Sequence, residues 1–115
     1  MFINARTDAF LLKEPNALSE TINRIKAYEA AGANGIFVPY LCEINDIEKV
    51  VEATSLPVSI FFTKQLPGLK TLSNAGIKRV SMGTSVFRYL NKVMGEVLLK
   101  EYDFIKQHKD LLFLD

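Results

Sequence analysis

The sequence has no tryptophan, a single cysteine and a single histidine. A lone Cys42 forms no internal disulfide, so the fold rests on its apolar core, and nothing points to an oxidising compartment; a cytoplasmic protein is expected. With no histidine near it in sequence, Cys42 is also a poor nucleophile candidate and reads as a small buried or loop residue. His108 lies near the end of the last helical pattern, where it suits the helix dipole better than catalysis. An excess of one charge sign is missing too: 14 basic against 13 acidic residues leave a net charge of +1. That provides no field for nucleic acid or an anionic membrane surface, and both drop out as expected partners. No apolar run approaches the roughly 20 residues that span a bilayer, and the first residues lack a basic segment leading into an apolar one, so no signal peptide is expected. What remains is 49% hydrophobic and 23% charged, a globular composition rather than a disordered one. At 115 residues it fits one domain, 1–115.

Four short apolar runs alternate with four helical patterns. "MFINA" (Met1–Ala5) reads as a strand. From Pro15 to Ala31, Leu18, Ile22, Ile25 and Tyr28 recur at helical spacing, and Gly32 supplies a left-handed stop. "GIFVP" (Gly35–Pro39) is a second strand. A helix is predicted from about Asp46 to Thr54, with Asn45 capping it, Glu48 three residues on, and Ile47, Val50 and Val51 as its buried stripe. "LPVSIFF" (Leu56–Phe62) is a third strand. A short helix, Leu69–Ala75, ends at Gly76. "KRVSMG" (Lys78–Gly83) is the fourth strand, and a long helix follows from about Thr84 to Gln107. The strands are rich in Val, Ile and Phe and not strictly alternating, as in a parallel sheet buried on both faces. "AGANGIF" at Ala31 and "AGIKRVS" at Ala75 echo each other, each joining a helix end to a strand.

The reading is α/β with four βα units, which fits either a small doubly wound sheet or half of an eight-stranded barrel. Both put functional residues at the carboxyl ends of the strands. Those ends carry Arg6-Thr7-Asp8, Pro39-Tyr40, Thr63-Lys64 and Gly83-Thr84-Ser85. Arg6 offers a rigid guanidinium fork that matches two anionic oxygens; a salt bridge with Asp8 is the competing role. Asp8 orients Arg6 or caps the following loop, and Asn4 either lines the site or bonds backbone. Gly83 and Thr84 open the long helix, whose free N–H groups favour an anion, with simple capping by Thr84 or Ser85 as the alternative. Tyr40, Thr63 and Lys64 could line a pocket or belong to solvated loops, and Pro67-Gly68 marks a turn.

"INARTDA", then "RIKAYEAAGANGIFVP", "LPVSI" and "GIKRVSMG", resembles the isocitrate lyase and phosphoenolpyruvate mutase superfamily, most closely its phosphonomutase-like, carboxyvinyl-carboxyphosphonate phosphorylmutase-like branch. The resemblance covers Phe2 to about Arg88 and corresponds to strands five to eight of a TIM (β/α)8 barrel. It implies a magnesium-dependent lyase or mutase that makes or breaks C–C or P–C bonds of small 2-oxo acids or phosphonates through an enolate-like intermediate. It puts Arg6 on the substrate's carboxylate or phosphoryl oxygens, and Ser59 where relatives often have Asn. The family's acidic metal cluster and its lid belong to the first half of the barrel. The strand-six position that holds Glu or His in some members reads Val38-Pro39 here, and no metal ligands are identified in this chain. The alternative is a non-catalytic half-barrel module for assembly or small-anion binding.

A half barrel would leave two open sheet edges, at the Met1 and Lys78 strands, and one apolar face that would normally be the barrel interior. The chain is then a fragment of a longer protein, or pairs with itself, or flattens under its long helix. The resemblance adds dimers and tetramers in which the last helix is exchanged, and helix 84–107 with tail 108–115 suits that role. Phe87, Leu90, Val93, Met94 and Val97 form a stripe that serves core packing or a partner surface. A homo-oligomer is therefore expected, with a light-scattering mass above that of one chain; a mass equal to one chain would count against it.

Overall fold

The computed structural model describes residues 1–107. Strands and helices alternate as β1 (Asn4–Arg6), α1 (Ala17–Ala30), β2 (Gly35–Phe37), α2 (Ile44–Glu52), β3 (Val58–Phe61), α3 (Leu69–Asn74), β4 (Arg79–Ser81) and α4 (Ser85–Gln107). All pairings are parallel, and the sheet order is β1-β2-β3-β4. That order decides between the two architectures. With right-handed crossovers, steps that always move the same way place every connecting helix on one face. A doubly wound sheet must reverse direction to cover both faces. This sheet does not reverse, so it is a slice of a barrel wall: a half-barrel.

The chain divides into two compact units, Met1–Gly83 and the residues from Thr84 onward. The first holds the core, made of Ile25 of α1, Ile36 and Val38, Leu41, Ile47 and Val50 of α2, Val58 and Ile60 of β3, Leu72 and Ile77. Leu18, Ile22 and Tyr28 pack against it, so the helical stripe read from the sequence is the buried face of α1. In the second unit, Val86, Phe87, Leu90, Val93, Met94 and Val97 of α4 are exposed. His108 and the tail "DLLFLD" lie outside the described residues. Among the described residues, no helix is long and apolar enough to cross a membrane.

The Ala-Gly echo is one device used twice. At the end of α1, Gly32 (φ +94) donates to the Glu29 carbonyl and Ala33 to that of Tyr28, both at 3.0 Å. At the end of α3, Gly76 (φ +93) donates to Ser73 and Ile77 to Leu72, again at 3.0 Å. Both are Schellman closures, which need a residue that takes positive φ freely. Gly76 is also pressed against Val51, whose Cγ1 would lie 2.7 Å from an added Cβ.

Several boundaries move from those predicted. β1 begins only at Asn4; the Ile3 carbonyl still accepts from the Asn34 and Gly35 N–H groups at 2.8 and 3.1 Å, while the Ile3 N–H goes to the Asn34 side chain at 2.9 Å. α2 starts earlier than expected, at Ile44. Glu43 is its N-cap, with no side-chain capping bond, and its carbonyl accepts from Asp46 and Ile47. Asn45 lies inside the helix, so the expected capping box does not form.

Glu29 ties the first unit together. It sits in the last turn of α1, where the helix dipole disfavours an anion, and gains other partners. Its carboxylate accepts from Thr54 Oγ1 at 2.7 Å, the Ser55 N–H at 3.1 Å and the Ser55 hydroxyl. These bonds, led by the Ser55 hydroxyl and then Thr54, hold the carboxyl below its ordinary pKa against the opposing effect of desolvation. With the folded value lowered, the contribution to stability is complete above the unfolded range, ~4.3, and is lost as pH falls through the lowered value. Glu29→Ala is expected to lower the thermal midpoint at pH 7 and to show a smaller further loss on acidification than wild type; superimposable melting curves would refute the role. Truncating the core residue Ile60 to Ala is expected to cost about 2–5 kcal/mol in denaturant unfolding.

Candidate functional site

Register separates the two faces of the sheet. Ala5 pairs with Ile36, Ile36 with Val58, and Ile60 with Val80; all of these belong to or pack on the core beneath the helices. Side chains alternate along a strand, so Asn4, Arg6, Gly35, Phe37, Ser59, Phe61, Arg79 and Ser81 lie on the opposite face, the inner wall of the barrel. This corrects the expected apolar interior: two arginines, an asparagine and two serines stand among the aromatic rings.

Arg6 is at the carboxyl end of β1. Its neighbours Ala5 and Thr7 turn toward the helices, and Thr7 is buried. The Thr7 hydroxyl, like that of Thr21, has no hydrogen-bond partner among the described residues. The Arg6 guanidinium stands 5.8 Å from the centre of the Phe37 ring, its pairing neighbour on β2. Asp8 takes Nε at 2.5 Å. Both Nη groups are left without a hydrogen-bond partner among the described residues, and the two side chains are 51% and 38% exposed. Nε is the side position of the fork. Held there, the guanidinium presents its outer edge.

The other predicted residues are placed as follows. Asn4 makes no bond to Arg6; it lies two residues toward the amino end and lines a cavity of about 130 Å³ with Phe2, Pro57, Val58, Ser59, Lys78 and Arg79. That cavity is at the amino ends of the strands, away from the rim that holds Arg6 and Asp8. Ser59 is buried and donates its hydroxyl to the Ile36 carbonyl at 2.9 Å, which leaves only acceptor capacity for a ligand. Gly83 has φ +52, and an added Cβ would lie 2.9 Å from Cδ2 of Phe61; turn and packing account for the glycine. Gly83 ends the first unit and Thr84 opens the second. The Thr84 carbonyl accepts from the Arg88 N–H at 2.8 Å.

At the carboxyl end of β2 lies a strained turn that no residue pattern announces. Tyr40 has φ +64, a conformation that costs a non-glycine residue about 1–3 kcal/mol. The turn sends the next residue, Leu41, into the core. The Tyr40 ring meets Phe61 edge-on, with centroids 4.9 Å apart and planes at 80°. Cys42 approaches the Tyr40 carbonyl at 3.3 Å and Thr63 Oγ1 at 3.2 Å, joining the loops after β2 and β3.

A hard divalent cation needs several oxygen ligands. Among the described residues no three His, Cys, Asp or Glu side chains gather where they could hold a metal, and Oδ1 of Asp8 is engaged by Arg6. These residues do not fit a magnesium site.

A family model described as phosphoenolpyruvate phosphomutase matches residues 1–100. An uncharacterised Mycobacterium tuberculosis protein (strain H37Rv) is 34% identical over 86 residues, covering 73% of this chain and 32% of the relative. Oxaloacetate decarboxylase 1 of Pseudomonas fluorescens is 31% identical over 114 residues, covering 96% and 38%. Among solved structures, a Burkholderia cenocepacia J2315 protein named as a phosphonomutase superposes with a TM-score of 0.73 at 34% identity, over 86% of this chain and 43% of that one. A second from the same organism, named as a lyase/mutase, gives 0.70 at 28% identity, over 92% and 37%. The chain thus spans about a third of the curated relatives' length.

Proposed function

We propose, from the premise that this chain belongs to the phosphoenolpyruvate phosphomutase family, that it forms the carboxyl-terminal half of the barrel of a lyase or phosphonomutase. The substrates would be small 2-oxo acids or phosphonates, with a C–C or P–C bond made or broken beside an anionic group. The observation that carries the reading is the Arg6–Asp8 pair on the inner face at a strand's carboxyl end, with both Nη groups unengaged among the described residues.

A carboxylate or phosphonate meeting that edge gains two parallel charge-assisted bonds, which fix its orientation as well as its position. When the neighbouring bond breaks and charge develops in an enolate-like way, a preorganised cation beside it stabilises the change without rearranging. Asp8 keeps the fork aimed. The magnesium ion expected for the complete enzyme would supply further charge stabilisation, with ligands from outside the described residues. The exposed apolar residues of α4 support a homo-oligomer built on that helix. A second reading, a half-barrel that binds small anions without turning them over, draws support from the lack of a group of three metal donors among the described residues.

Calorimetry with oxalate tests the clamp. Arg6→Ala is expected to weaken binding about 10–100-fold, as for a lost hydrogen bond to a charged group, and Arg6→Lys to fall between, keeping charge but losing the fork. Undiminished heat from Arg6→Ala would remove this residue from the site. Binding that tightens with magnesium favours the enzyme reading.

A further inference from the structure

We propose that Tyr40 is the specificity-determining wall of this site, selecting anions that carry a planar apolar body; the proposal rests on the Arg6 clamp described above. The backbone at Tyr40 is left-handed, where glycine would sit without strain, yet a large ring occupies the position. That ring is 42% exposed and is fixed by its edge-on contact with Phe61. Phe61 in turn is backed by Gly83, which leaves no room for a Cβ against the ring. The strained turn is itself anchored, since Cys42 approaches both the Tyr40 carbonyl and the Thr63 hydroxyl.

The rim therefore has two chemistries side by side. Phe37 pairs with Arg6 in the sheet and lies under its guanidinium. Phe61 is on the same face of the next strand, two residues further toward the carboxyl end than Ser59, the partner of Phe37. Tyr40 rises from that rim against Phe61. An anion gripped by the Nη edge of Arg6 has aromatic surface beside it, and a flat apolar substituent buries there, whereas a methyl group or a second anion gains nothing from the rings. Aromatic pairs favour edge or offset contact, and the edge contact with Phe61 leaves Tyr40 partly open to a ligand.

The test compares methylphosphonate with phenylphosphonate by calorimetry on the full chain. Wild type is expected to bind the phenyl compound about fivefold more tightly, the size of one aromatic contact. Tyr40→Gly and Tyr40→Asn, both suited to positive φ, should bring the two affinities together by weakening phenylphosphonate binding. Tyr40→Phe should keep the preference. Thermal melting of Tyr40→Gly is expected to match or exceed wild type, since backbone strain is relieved. Equal affinities in wild type, or a preference that survives in both ringless variants, would overturn the wall while leaving the clamp standing. If neither phosphonate binds wild type, the clamp itself fails and the wall falls with it.

Discussion

Four parallel strands laid down in chain order is the constraint from which the rest follows. Each right-handed crossover must return the chain to the same side of the sheet, so three successive steps in one direction gather α1, α2 and α3 on one face. A single layer of helices covers only half of what a parallel sheet normally buries. In a complete barrel curvature closes the other face, and a strand at the edge of a slice of that wall offers its backbone for further pairing. The same geometry brings every strand's carboxyl end to one rim. Strand ends of three or four residues suffice for this, because the helix-side core, not ladder length, holds the layer.

The two sheet faces then do different work. On the helix side the residues are aliphatic and buried; on the other, Arg6, Arg79 and the phenyl rings stand in the space that a complete barrel would enclose. Low-dielectric enclosure strengthens a guanidinium's hold on an anion, so an arginine on this face gains as a ligand group when the barrel is whole. Structural support for Arg6 comes from one residue two positions along, Asp8, so the pair is built from a single short stretch of chain.

What could be read from the residues alone follows from how local each feature is. Alternating βα units, the two glycine stops and the arginine at the end of the first strand all depend on short stretches, and the structure has each of them. The start of α2 did not follow, because Asn45 and Glu48 make a plausible capping box while Glu43 wins the position through backbone bonds alone. The polar inner face was missed for a different reason. Gly35-Phe37, Ser59-Phe61 and Arg79-Ser81 alternate with Ile36-Val38, Val58-Ile60 and Val80, but each run is too short for the period to stand out, and only the register between strands reveals it. The Tyr40 turn had no signal at all, since nothing marks a tyrosine for left-handed backbone. It arises from the need to send Leu41 inward after a proline.

Stability and recognition draw on separate residues in this chain. The Arg6–Asp8 pair is half exposed, and such pairs contribute about 0–1 kcal/mol, a small share beside side chains such as Ile36 or Ile60, each worth about 1.5–3 kcal/mol when buried. A salt bridge kept for the fold would gain more elsewhere. Tyr40 goes further, since its backbone detracts from stability while its ring holds a place on the rim. Residues that contribute little to the fold, or work against it, and that meet at the strand ends of a barrel wall are better explained by what they would hold than by what they hold together.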